Sequence, residues 1–483
     1  MPGLVDVPVE ALDPHRFESV LAPADYEALV DLIVRAASAL RGRAIWNINS
    51  TARGGGVVEL LRPQLGYSRG AGIDARWAVI SASPKFFAFT KRVHDQLHGL
   101  DEDEGGLTED ERLLYERTLC ESDNAADLIS MACPQDVVIL HDPQTAGLVS
   151  AARRTGATVI WRCHVGMDHP SGPVRAAWDF LRPYVLEADA YIFSRAKFSW
   201  EGLDPEKIVV IHPSIDAFSP KNQDQTPEQS RTILARAGII AGEASEPGTF
   251  VRFDGSPGRV DRRAEMVQDV PLQPDDRLVM QISRWDNLKD PIGVMRGFAE
   301  HVDVDGSVHL VLAGPAAGSV TDDPAGAGVL ANVLQARQAL PDDVRARVHL
   351  ASLPMDDDEE NAAIVNALQS HSEVVTQKSL AEGFGLTVAE AMWKARPVVA
   401  SRIGGIQDQI VDGESGLLIS DPHDLVEFGA AVSWLLRNPD AGRRIGAAAR
   451  ARVSGHFLGP HNLGRYFELI HRLISTGPPA PGE

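Results

Sequence analysis

The stretch SLAEGFGLTVAEAMWKARPVV sets Glu382 and Glu390 with seven residues between them, around a glycine loop that opens a helix. Backbone N–H groups over Gly383, Phe384, Gly385, Leu386 and Thr387, together with the positive end of that helix, suit a phosphate or a sugar. Glu382 can accept from sugar hydroxyls, and Glu390 could reach those of a ribose. A local reading competes for Glu390, because Thr387 with Glu390 fits the Ser/Thr-x-x-Glu capping box. In ISRWDNLKD, Arg284 and Lys289 stand five residues apart. Two cations on one loop can clamp a diphosphate, Arg through its planar fork and Lys as a point charge, and stabilise charge on a leaving group. A surface pairing with Asp286 or Asp290 is the simpler alternative.

Three earlier loops carry complementary groups. WNINSTARGGG places Gly54, Gly55 and Gly56 after an apolar run and before a helix, where bare backbone can face an anion or a hydroxyl. It is neither a dinucleotide fingerprint nor a P-loop, since no Gly-Lys-Ser/Thr follows. HDPQ and RCHVGMDHP bring His141, Asp142, Arg162 and His164 to the ends of two further apolar runs. An aspartate there can hold a sugar hydroxyl and a histidine can donate to an oxygen that gains charge, although a histidine at a strand end is often structural. Gly404 and Gly405 suit either a close backbone approach to a ligand or a tight turn. No Ser/His/Asp order or metal cluster appears. Asp303-Val-Asp305, the one tidy Asp-x-Asp, precedes a strand instead of following it, so no metal is expected.

These loops need a scaffold that puts them side by side. AIWNIN, DARWAVI, DVVIL, ATVIW, AYIF and KIVVI alternate with helical segments, and RLVMQIS, VHLVLAG, RVHLAS, EVVTQ, PVVAS and SGLLIS repeat the pattern. Such alternation predicts two α/β domains with parallel sheets, which bind ligands at the carboxyl ends of their strands. The expected organisation is a helical extension over 1–41, an acceptor domain over 42–222, a polar linker with an insertion over 223–274, and a donor-nucleotide domain over 275–458. A helix over 459–475 and a disordered tail over 476–483 follow. Acidic runs at 101–111 and 356–360 read as solvated loops or helix N-termini.

Composition narrows the function. The 483 residues suffice for two to four domains. A formal net charge of -21 repels nucleic acid and anionic membranes, so neither is an expected partner. No apolar run approaches the ~20 residues that cross a bilayer. Three scattered cysteines, Cys120, Cys133 and Cys163, supply no disulfide framework or zinc pair, and the first residues lack a signal-peptide pattern, so a cytoplasmic location is expected.

With these residues assembled, the chain from about 44 to 475 resembles the retaining glycosyltransferases of the GT-B fold, family four. Within that family WNINSTARGGGVVELL, FFAFTKRVHDQLHG, HDPQTAGL, WRCHVGMD and SRWDNLKDP are most similar to trehalose glycosyltransferring synthases, with retaining trehalose phosphorylases close by. GGIQDQI departs from the more usual Gly-Gly-x-Pro-Glu. The resemblance implies two Rossmann-like α/β/α domains facing across a cleft, with the last helix crossing back to the first domain. It implies that Arg284 and Lys289 hold the diphosphate of an NDP-glucose, that Glu382 holds the glucose, and that Glu390 binds the ribose. His164 would lie near the reacting centre, and the loop at Gly54 to Gly56 with Asp142 would close over donor and acceptor, with His141 and Arg162 on the acceptor side.

The expected reaction moves glucose to free glucose to form α,α-trehalose, with the donor configuration kept and no cofactor required beyond the NDP-glucose substrate. The expected partners are therefore a small-molecule sugar nucleotide and a sugar acceptor, and a homodimer is open. A phosphorylase using glucose 1-phosphate, an NDP-sugar epimerase and a non-catalytic sugar-nucleotide sensor remain alternatives. The nucleobase does not follow from the sequence.

Overall fold

The structure is a computed structural model that describes residues 3–100, 106–242, 246–302, 306–316 and 326–476. Residues 101–105 of the first acidic run, Asp303-Val-Asp305 and the tail beyond 476 lie outside the described residues.

The chain divides into two compact units, one made of Met1–Ser214 with Gly459–Glu483 and the other of Ile215–Leu458. In the first, strands β1 (Val5–Val7), β2 (Ala44–Asn49), β3 (Asp74–Val79), β4 (Val137–His141), β5 (Thr158–Cys163), β6 (Ala190–Phe193) and β7 (Ile208–Val210) form one sheet in the order β1-β3-β2-β4-β5-β6-β7. All neighbours run parallel except β1, which pairs antiparallel to β3 at the edge. The sheet is parallel because helices follow its strands, and covering both faces makes β2, β4 and β6 buried at every position. Alternate residues serve opposite faces. Ile45, Val137, Ile139, Ile160 and Ile192 pack with Tyr466, Phe467, Leu469 and Ile470 of the helix Gly459–Thr476. Trp46, Val138, Leu140 and Trp161 pack with Phe89, Val93, Trp178 and Leu181 of the helices Pro84–Leu97 and Gly172–Val185.

The second unit repeats the plan. Strands β8 (Gly248–Val251) and β9 (Pro257–Val260) pair as a separate ribbon. Strands β10 (Glu265–Val267), β11 (Arg277–Ile282), β12 (Val308–Pro315), β13 (Val348–Leu353), β14 (Val374–Gln377), β15 (Val398–Ser401) and β16 (Leu417–Ile419) form a sheet in the order β10-β13-β12-β11-β14-β15-β16. The edge strand β10 alone is antiparallel. Successive connections leave β2 and β11 in opposite directions, so the β2/β4 and β11/β14 junctions are the switch points at which such sheets bind ligands.

Two features differ from the sequence expectation. The unit boundary falls at 214/215, not at 222, because Asn222 belongs to the second unit: its carbonyl accepts from Trp393 Nε1 at 2.9 Å, and its Oδ1 accepts from Lys394 at 3.2 Å. The 223–274 segment, expected as a polar linker with an insertion, carries regular structure and gives one strand to the second sheet. Thr226 and Gln229 cap the helix Pro227–Arg236 reciprocally, and β8, β9 and β10 follow. The second acidic run begins a helix, where Asp357 accepts from the N–H groups of Glu359 and Glu360.

Candidate active site

At the β2/β4 junction the strands deliver a chain of neutral rings. His141 Nε2 lies 3.0 Å from Asn47 Oδ1, and His141 Nδ1 lies 3.1 Å from His164 Nε2, with the two rings stacked at 5.4 Å. Burial, and then the nearby Arg162 guanidinium, pushes His141 down to about 3 and His164 well below its ordinary value. Each imidazole therefore carries one proton at neutral pH. Because Asn47 Oδ1 can only accept, His141 donates from Nε2 and accepts at Nδ1, so His164 donates from Nε2 and its Nδ1 is left as an acceptor.

Asp142 sits in the left-handed region at φ +64 and accepts from the His164 N–H at 2.7 Å. Its own N–H donates to Arg162 O, and Thr145 Oγ1 donates to His141 O, which closes the turn. Burial pushes the Asp142 carboxyl up to about 6, against the His164 hydrogen bond and the attraction of His94 and Arg162. Before this turn, Asn49 Nδ2 donates to Thr51 O and Thr51 Oγ1 to Arg53 O, leading into Gly54 at φ +67 and Gly55 at φ +81. Gly55 caps the helix Gly56–Gly70, and a Cβ on Gly54 or Gly55 would meet nothing within 4 Å, so the backbone angle is what calls for glycine there.

Arg162, expected on the acceptor side, is 1% exposed. Its Nη1 donates to the Tyr466 hydroxyl, its guanidinium lies 5.2 Å from the Tyr466 ring centre, and its Nη2 donates to Ile211 O at 3.3 Å. Its Nε lies 3.3 and 3.1 Å from the two nitrogens of His164. These internal contacts make it a support for His164. Tyr466, which completes that support, reads in the sequence only as part of an amphipathic stripe.

At the β11/β14 junction Lys289 Nζ donates to Glu382 Oε2 at 2.6 Å, and Ser379 Oγ donates to the same oxygen at 3.3 Å. Arg284 Nη2 lies 4.0 Å from Asp286 Oδ2, with the side chain 48% exposed. Asp286 mainly caps its own turn, accepting from Leu288 N at 2.8 Å, and Asp290 is bonded to Lys378, so neither aspartate takes Lys289.

Gly385, at φ +83, is the cap of the helix Leu386–Trp393 and carries no side-chain hydrogen bond. This overturns the capping-box reading of Glu390: the helix starts too early for Thr387 to cap it, and Thr387 Oγ1 donates instead to Gln377 Oε1 at 2.9 Å. Glu390 is 2% exposed, with Oε1 3.7 Å from Lys221 Nζ. Behind the loop, a Cβ on Gly404 would stand 1.8 Å from Glu382 O and one on Gly405 2.7 Å from Gly383 O. The glycine pair is thus the surface on which the Glu382 loop rests. Gln409 Nε2 donates to Phe384 O and Gly385 O, holding the loop open toward the helix end.

Each unit therefore gathers its own share of the expected residues at a switch point. The second supplies two cations, a carboxylate and an open helix end, a set able to bind an anionic leaving group beside a polyol. Among the described residues no group of three or more His, Cys, Asp or Glu could hold a metal, and no helix is long and apolar enough to cross a membrane.

Comparison with known proteins places the chain in a family. Residues 47–200 match the model of the trehalose synthase N-terminal domain, and residues 263–452 match that of glycosyl transferases group 1. The chain is 34% identical over 458 residues to the trehalose synthase of Pyrococcus horikoshii, covering 93% of this chain and 96% of that protein. It is 25% identical over 448 residues to the trehalose phosphorylase of Pleurotus pulmonarius, covering 87% of this chain and 56% of that one. The crystal structure of an α,α-trehalose-phosphate synthase (UDP-forming) from Burkholderia vietnamiensis shares the fold, with a TM-score of 0.64 at 15% identity over 90% of this chain and 99% of the other. Two Rossmann-like units with this site and these relatives have one reading: the chain belongs to the trehalose synthase family of GT-B glycosyltransferases.

Proposed function

We propose that the protein transfers glucose, with retention, from a nucleoside diphosphate glucose to free glucose and so forms α,α-trehalose. The observation that carries the reading is the meeting of Lys289 with Glu382, on the two loops of one switch point, with Arg284 exposed on the first of them. In the reaction the bond between C1 of the donor glucose and the diphosphate oxygen breaks, and its electron pair leaves with the diphosphate. Arg284 and Lys289 neutralise that charge, Glu382 accepts from the glucose hydroxyls, and Glu390 accepts from the ribose. The anomeric hydroxyl of the acceptor attacks C1 from the same face and gives its proton to the departing diphosphate oxygen. His164 and Asp142 hold the sugars, and catalysis is a matter of charge and position, without a metal.

The test is to incubate the protein with UDP-, ADP- or GDP-glucose and glucose, and to determine the linkage of any disaccharide. An α,α-1,1 product from at least one donor is expected. Product formed only from glucose 1-phosphate, with release of inorganic phosphate, would replace this reading by a phosphorylase; binding without transfer would leave a sensor.

A further inference from the structure

Lys378 is 0% exposed, lies at the end of β14 and donates to Asp290 Oδ2. Asp290 is the residue after Lys289, and Lys378 is four residues before Glu382. Two ion pairs therefore tie the same two loops with opposite polarity, Lys289 to Glu382 and Asp290 to Lys378, the second anchored on a fully buried lysine. Asp290 holds a left-handed backbone at φ +47, a conformation uncommon for a residue with a Cβ, and its Oδ1 accepts from Gly293 N at 3.0 Å to cap the helix Pro291–His301. Gly293 permits that approach, since a Cβ there would lie 2.0 Å from Asp290 Oδ2. Gln281 braces both loops, donating to Lys289 O at 2.7 Å and accepting from Lys378 N at 2.9 Å, and Leu380 N donates to Leu288 O.

An ion pair whose lysine is fully buried is a poor source of net stability, because desolvation of that ammonium offsets the attraction, which leaves fixing geometry as its role. From this double rung we propose that Lys378 and Asp290 are positioning residues that hold the backbone of Lys289 in the register needed for its ammonium to serve donor diphosphate beside Glu382. The inference rests on the transferase reading above. Neither residue touches substrate. Their loss acts by displacing Lys289, and a misplacement of about 1 Å at such a group costs on the order of 100-fold in rate.

The experiment measures kcat, KM for both substrates and Tm for wild type, Lys378→Met, Asp290→Asn and the double variant, each checked for folding. Lys378→Met is expected to lower kcat about 100-fold and Asp290→Asn about 10-fold, with KM for acceptor glucose within twofold of wild type and the double variant no worse than Lys378→Met. If Lys378→Met does not fold, Asp290→Asn, which keeps an acceptor for Gly293 N–H, decides alone. Wild-type kcat in a folded Asp290→Asn, or strictly multiplicative losses in the double variant, would overturn the proposal. A wild type that transfers no glucose would instead overturn the transferase reading, so the two failures are distinguishable.

Discussion

Lys289 and Glu382 share a hydrogen bond of 2.6 Å across the β11/β14 junction. On the proposed reading the ammonium takes an anion and the carboxylate takes hydroxyls, so donor binding would exchange one short contact for two. The pair keeps both side chains extended into the site beforehand, which lowers the ordering cost of binding.

Replacing Arg284 or Lys289 by Ala is therefore expected to cut turnover roughly 100- to 1000-fold, the usual effect of removing one charge-stabilising donor. Steady-state kinetics with the preferred donor checks this, with circular dichroism to confirm folding. Near-normal turnover in both variants would remove the diphosphate clamp.

Glu390→Gln is expected to weaken nucleotide diphosphate binding about 10-fold or more, the scale of one hydrogen bond to a charged group. Calorimetric titration with UDP, ADP and GDP measures it. Since Gly385 and not Thr387 caps the helix, loss of a cap cannot account for such a change. Unaltered affinity for every nucleotide would take Glu390 out of the ribose site.

Asp142 supplies a pH signature. A carboxyl raised from 3.8 to about 6 by burial is fully compatible with the fold below the lower value and disfavours it as pH rises through the upper one. Asp142→Asn is thus expected to stabilise the protein at pH 7.5 by about 3 kcal/mol, from two pKa units, and to give only a small gain near pH 4. Asn also tolerates the left-handed turn. His141 and His164 slope the other way, losing stability as pH falls below their ordinary range, but they cancel in the difference between variant and wild type. Urea denaturation of both proteins across pH 4 to 8 provides the measurement; a difference independent of pH would contradict the assignment.

Gly404→Ala places a methyl group 1.8 Å from Glu382 O at a backbone φ of +44. The loop must move, so KM for the donor is expected to rise at least severalfold with a stability loss of about 1 to 3 kcal/mol. Donor kinetics and thermal melting together test it, and an unchanged KM would show that the loop position is immaterial.

How far the sequence carries is clear from particular elements. DVVIL and AYIF are legible because a strand buried on both faces reads as an apolar run, AIWNIN reads so despite Asn47 and Asn49, and the glycine loop after AIWNIN is legible because only a few residue types open a helix so abruptly. Lys378 is not legible: a buried charge at a strand end resembles a solvated one until its partner, distant in sequence, is seen. Glu390 shows the limit of local motifs, since Thr387-x-x-Glu390 fits a capping box and the helix nevertheless begins before Thr387 can cap it. The helix at Pro227–Arg236 was within reach, because Thr226-Pro-Glu-Gln229 carries its own start signal inside a polar stretch.

The helix Gly459–Thr476 covers one face of the first sheet, yet the ribosome produces it only after the whole second unit. A nascent chain paused near Leu458 leaves the face of Ile45, Ile139 and Ile192 covered only by the side of the helix Pro23–Ala39, and Arg162 without its tyrosine. The N-terminal unit must then wait in a sticky, half-assembled form while its neighbour matures, which makes synthesis in the cell a more perilous passage than refolding of the finished polypeptide.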